Sequence, residues 1–218
     1  EKVSEIRNEV IYIDSNNNIL FSSSSKIDNN YKYFVNRYNY NHRKYFYMLG
    51  ANSCISIKRE SIDDDLRHLK IAVDIYLTIS AICKNEKENV LFYGKPLTYF
   101  RIHSQNSTRP HTLEEGMNLT GIYLKDNEKL YDKFYNCVKE VRKTLRLFLQ
   151  YSKLDYYLTE LRIAEKDKEL EKDFKFSLSD KIFLLDPFNK PRGEFIIKGI
   201  LASGFLFLPS SLRSRLFK

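Results

Sequence analysis

Apolar residues follow a strand-like period over the first part of the chain and a helical one over the second, and this change of period places the elements. Val10 to Asp14 and Ile19 to Ser22 are β-forming runs separated by Ser15 and three asparagines, which tolerate left-handed turn conformations, so a β-hairpin is expected. The segment from Ser22 to Arg43 is rich in Ser, Asn and Tyr without helical spacing, which predicts an irregular loop. Asn52 to Lys58 alternates small polar and apolar residues and reads as a strand. Glu60 to Leu69 and Lys70 to Lys84 then carry apolar residues at helical spacing, among them Ile71, Ile75, Ile79 and Ile82. Val90 to Tyr93 and Leu97 to Ile102 read as two short strands joined by a turn at Gly94, Lys95 and Pro96. Strand, helix, helix, strand, strand is an α/β order.

From Thr112 the sequence becomes rich in Glu, Lys and Leu, with helical periodicity to about Phe174. The division expected is an α/β part over residues 1–110 and a mainly α-helical extension over 111–218. Phe195 to Leu208 is apolar apart from Lys198 and small residues. It is shorter than the roughly 20 residues of a spanning helix, and Arg213, Arg215 and Lys218 follow it. Two readings fit: an amphipathic tail lying on an anionic membrane, or a helix packed on its own domain.

Composition supports a globular chain with an anionic partner. Hydrophobic residues are 43% and charged residues 29% of 218, and the formal net charge is +8. Cys54, Cys83 and Cys137 are odd in number and widely spaced in apolar surroundings, which predicts three buried thiols in a reducing compartment. With 16 Tyr and 15 Phe, aromatic area is abundant and concentrated in Tyr31–Phe34 and Tyr38–Tyr47. Tyr31 to Arg43 has the basic and aromatic mix of a single-strand nucleic-acid binder, although the same mix serves a sugar-binding wall; nucleic acid is the less favoured partner. Phosphate-cradling glycine loops, H-E-x-x-H and cysteine–histidine zinc spacings do not occur. The triplets at Asn106 and Asn118 match the glycosylation sequon, without a secretory context.

One ordered set of short motifs goes further. Gly50-Ala51-Asn52-Ser53, Lys58-Arg59, Val73-Asp74-Ile75-Tyr76-Leu77 and the run from Pro96-Leu97 through Tyr99-Phe100-Arg101-Ile102-His103 to Asn106-Ser107 stand in the order and spacing that resemble glycosyltransferases of family 2. The resemblance implies a partial GT-A (Rossmann-like) domain, covering its acceptor side, and an inverting transfer of sugar from a nucleotide-sugar donor to a glycan or lipid-linked acceptor. It further implies Asp74 as the base that takes the acceptor proton, a role suited to a carboxylate in the first turn of a helix, where the macrodipole favours the charge. Arg101 and His103 would hold the donor diphosphate, with His103 also a ligand of a divalent Mn or Mg ion. Tyr45, Tyr47 and Asn52 would contact acceptor.

The family's opening strand–helix units and its D-x-D metal motif have no counterpart here. Asp63-Asp64-Asp65 lies in the wrong place for that motif and reads as a solvated turn or helix start. The expectation is therefore a fragment that lacks the N-terminal nucleotide-binding half, is inactive alone, and belongs to a cytoplasmic enzyme on the inner membrane face. The rival expectation is a non-catalytic, basic membrane- or nucleic-acid-binding protein derived from a glycosyltransferase.

Overall fold

The computed structural model describes residues 2–22, 31–49, 55–84, 87–102, 110, 112–164, 177–185 and 208. Its architecture is α/β, a mixed sheet with helices, and the sheet is organised around its first strand. β1 (Val3–Ile13) forms the expected hairpin with β2 (Ile19–Ser22), and its turn is closed by the Asp14 carboxylate, which accepts from the backbone of Asn16 and Asn18, both at 2.8 Å. β3 (Lys32–Val35), β4 (Ile55–Ile57) and β5 (Asn89–Arg101) complete the sheet. The order is β2-β1-β5-β3, with β4 on the same edge of β1 as β2: β4 pairs with Glu5 to Arg7 and β2 with Ile11 to Ile13. Only β1 and β5 are parallel, and they run together for the whole of β1.

Three sequence expectations are corrected here. The irregular loop of 22–43 contains β3, an edge strand too short to show a period, antiparallel to β5 through Lys32–Tyr93 to Val35–Val90. The helix expected over Glu60–Leu69 is instead two 3-10 turns, Arg59–Ser61 and Asp64–His68. The two strands expected around Gly94-Lys95-Pro96 are one strand. β1 passes from Asn8 to Val10 while β5 passes from Tyr93 to Thr98, so the Gly–Lys–Pro segment is a bulge. Gly94 is required there because a Cβ would lie 2.7 Å from the Tyr31 ring, whose backbone oxygen accepts from the Gly94 N–H.

The helices are α1 (His42–Tyr45), α2 (Val73–Lys84), α3 (Leu113–Lys133), α4 (Lys139–Ala164) and α5 (Leu178–Leu185). α3 begins at Thr112, whose hydroxyl accepts from the Glu115 N–H three residues on. α3 and α4 lie antiparallel, with Asn127 donating to Ser152 at 2.7 Å. The core spans sheet and helices: Val35, Val90 and Phe92 of the sheet, Tyr76, Ile79 and Ile82 of α2, Leu130 and Phe134 at the end of α3, and Val141 and Leu145 of α4 are buried together. Cys83 and Cys137, expected as free thiols, form a disulfide that ties the end of α2 to the α3–α4 turn. The two are 54 residues apart with Cα atoms 6.2 Å apart, a proximity that spacing alone does not reveal. Among the described residues no helix is long and apolar enough to cross a membrane. The apolar run at 195–208 lies outside the described residues except for Leu208.

Candidate active site around Asp74

Asp74 occupies the first turn of α2, which begins at Val73 where the helical spacing predicts Lys70, and is half-buried. The start of that helix is held from two sides. From α3, a single oxygen of Asp126 accepts the backbone N–H groups of Lys70 and Ile71 at 2.8 Å and of Ala72 at 3.2 Å. Asp126 is 1% exposed, and its carboxylate anchors the three residues that lead into α2, the last of which, Ala72, accepts the first helical bond from the Tyr76 N–H. From the sheet, Arg7 of β1 donates to the Asp74 carbonyl at 3.3 Å and to the Thr78 hydroxyl at 2.5 Å. Thr78 passes its own proton to Glu5 at 2.5 Å.

Glu5 and Arg7 are both buried, at 1% and 3% exposure, while Ile6 between them is 37% exposed. This local inversion of the usual pattern places a carboxyl and a guanidinium under α2. Burial pushes the Glu5 carboxyl up to about 7, against the pull of Arg7 and the Thr78 hydrogen bond and helped by the charge of Asp74. The other Glu5 oxygen, Oε2, is buried without a hydrogen-bond partner. Tyr123 of α3 also feels Asp74: burial first, then the charges of Asp74 and Asp126, raise its phenol above the ordinary value. The cluster thus combines one carboxyl biased to keep its proton with a second, less buried carboxylate at a helix start.

Of the remaining sequence candidates, the two whose side chains are described, Arg101 and Tyr45, are not gathered around Asp74. Arg101 ends β5 beside Ile13, six residues of strand beyond Arg7, an offset on the order of 20 Å. Its guanidinium closes the β1–β2 hairpin by donating to the carbonyls of Asp14 at 3.2 Å and Ser15 at 2.8 Å and to the Asn17 side chain at 2.5 Å. Tyr45 is a core residue, 6% exposed, with its ring stacked on Phe92 at 5.4 Å and flanked by Tyr40 and Tyr33. Asn52, His103 and the Tyr47 side chain lie outside the described residues. Among the described residues no group of three or more His, Cys, Asp and Glu is arranged to hold a metal ion.

The acidic triplet forms a separate polar centre. Asp63 precedes the 3-10 turn and accepts from Tyr76, Lys84 and Lys133, while Asp65 accepts from Lys133 and Asp64 pairs with Arg67 at 3.2 Å. Partial burial works against the charge on Asp63, but the three hydrogen bonds outweigh it and hold its carboxyl far below the usual range. Tyr76 is pushed up to about 12 by burial and by its bond to Asp63. A cleft of about 440 Å³ opens beside this network, between His68 and Leu69 on one wall and Lys129 to Lys133 on the other.

Of the residues around Asp74, sequence reasoning located Asp74 and missed Glu5, Arg7 and Asp126. The signal for the first two was present as Glu5, Arg7 and Glu9, which alternate charge on one strand face. Asp126 carried no local signal, because it acts 54 residues away from Ala72. In comparisons with protein-family models, curated proteins and solved structures, the chain matches none.

Proposed function

We propose that this chain is the acceptor-side part of an inverting glycosyltransferase of the GT-A, family 2 kind, in which Asp74 removes the proton of the attacking acceptor hydroxyl. The observation that carries the reading is the way α2 presents Asp74. Its helix start is clamped by Asp126 and Arg7, so the carboxylate stands at the positive end of a helix whose position cannot drift. Glu5, placed beneath it, tunes the local charge. Support also comes from the ordered motif set, which runs through α2 and β5 to Arg101 and His103. On this reading a nucleoside-diphosphate sugar is the donor, a glycan or lipid-linked molecule the acceptor, and any divalent metal is held with the help of His103.

The test uses the complete protein with a nucleoside-diphosphate sugar and Mn²⁺ or Mg²⁺. Asp74→Asn is expected to lower transfer by at least about a hundredfold, the scale of general-base catalysis, while donor binding stays nearly intact. Undiminished transfer would remove Asp74 from the role. A second reading, a non-catalytic basic binding protein, is favoured by one observation: the Arg101 fork is engaged by the hairpin turn and not held ready for a diphosphate. It predicts binding that weakens steeply with salt and is indifferent to Asp74.

A further inference from the structure

Where α3 ends and α4 begins, a groove of about 310 Å³ is lined by Lys139, Arg142, Lys143 and Arg146, with Tyr131 and Tyr135 across from them. The four cations are spaced i, i+3, i+4, i+7 and so occupy one face of the first two turns of α4. Each has like-charged neighbours three or four residues away, and all stand near the end of the helix where the macrodipole already disfavours positive charge. A helix needs none of this for its own stability. The offsetting carboxylate on this stretch is Glu140, and it is committed: it accepts from Lys143 at 2.9 Å and meets the buried His42 ring at 2.7 Å. Those two hydrogen bonds outweigh the effect of partial burial and hold the Glu140 carboxyl down at about 2.

The groove is also shaped in advance. The Arg142 guanidinium lies 5.6 Å from the Tyr135 ring centroid and that of Arg146 lies 4.3 Å from Phe183 of α5. For Arg142, a guanidinium set over an aromatic ring leaves its N–H edge facing the groove for paired bonds to a tetrahedral anion. Tyr131 and Tyr135 meet edge to face at 5.7 Å, and Tyr135 is half exposed at the mouth. The turn beneath is anchored by the Cys83–Cys137 disulfide and by the burial of Phe134, so the cations are presented by a fixed corner.

We propose that this groove binds a phosphate-bearing ligand, with Lys139 and Arg142 around the phosphate oxygens and the tyrosines against its organic part. The site is independent of Asp74 and of the transferase reading. A soluble phosphate ester and a phospholipid headgroup share the chemistry, and the experiment separates them. Two binding arms are run on the full chain, titration with inorganic pyrophosphate and co-sedimentation with phosphatidylcholine vesicles containing phosphatidylglycerol. The wild type is compared with Lys139→Gln/Arg142→Gln, with Tyr135→Ala, and with a charge-matched control, Arg67→Gln/Lys95→Gln, on exposed positions elsewhere. Thermal melting confirms that each variant is folded, and the single variant Arg142→Gln, expected to weaken binding in whichever arm the wild type shows it, serves if the double variant is not.

The expected result is binding in at least one arm, weakened about tenfold or more by the groove double variant and unchanged by the control. Pyrophosphate binding identifies a soluble phosphate ligand, and binding to vesicles alone identifies a headgroup. Tyr135→Ala should weaken vesicle binding but leave pyrophosphate, which has no organic part, bound as before. Absence of binding in both arms overturns the proposal. So does an equal loss in the control, which reduces the effect to net charge. Tight binding of a single-stranded oligonucleotide that survives the groove double variant, with no phosphate binding in either arm, also overturns it.

Discussion

Two acidic regions of this molecule use the same side chains under opposite conditions. Under α2, Glu5 and Asp126 are both 1% exposed and are answered by a hydroxyl, a guanidinium and backbone N–H groups. At the 3-10 turn, Asp63 and Asp65 are 29% and 61% exposed along their side chains and are answered by Lys84 and Lys133. In the first region water is excluded, so a lost partner leaves a buried group unsatisfied. In the second, water and salt replace whatever is removed. Burial, and not the number of partners, decides what each carboxylate is worth.

The largest effect expected from this contrast is at Asp126. Asp126→Ala removes the acceptor of three N–H groups in the segment leading into α2, one of them fully buried, and should cost about 3 kcal/mol in urea unfolding. Asp126→Asn keeps an acceptor oxygen and should cost less. A loss under about 1 kcal/mol for the alanine variant would mean that water replaces the carboxylate at these N–H groups. The variant also bears on Asp74, whose transfer activity should fall with the loosened helix.

Glu5 comes next and carries a sign. Its folded-state value, about 7, lies above the ordinary 4.5, so the native state holds the proton more tightly than the unfolded chain does. The stability this confers is fully present below the unfolded value and is lost as pH rises through the folded one. Glu5→Gln, which cannot ionise, should therefore match the wild type near pH 4 and exceed it by an amount on the order of 2 kcal/mol near pH 8. A gap that narrows with rising pH would reverse the assignment. Asp63 has the opposite sign. Its carboxyl is held below its ordinary value, so its contribution is present above that value and disappears as pH falls through the depressed one. Asp63→Asn should cost about 1 kcal/mol or less, and the cost should shrink in high salt.

Local signals were legible where local physics decides. The hairpin announced itself through its asparagine turn, α2 through Ile71, Ile75, Ile79 and Ile82, and α3 through the Glu-, Lys- and Leu-rich helical periodicity that begins at Thr112. Gly94-Lys95-Pro96 misled because Gly and Pro mark a turn in isolation, whereas continuous pairing with β1 turns the same residues into a bulge. Tyr45 misled for a related reason. A tyrosine can line a wet cleft or fill a core, and only the stacking on Phe92 shows which. Arg101 was correctly placed at the end of a strand, but the turn that its guanidinium binds belongs to residues 84 to 87 positions earlier.

The sequence by itself determined the α/β class and the helix that carries Asp74, because periodicity is a property of contiguous residues. Tertiary structure alone decided that Asp126 anchors the segment leading into α2, that Glu5 and Arg7 lie buried under that helix, that Cys83 meets Cys137 and that the α4 cations face two tyrosines across a groove. Each of these joins residues from separate elements. Their energies arise from desolvation and proximity, which come into being only when the chain closes on itself.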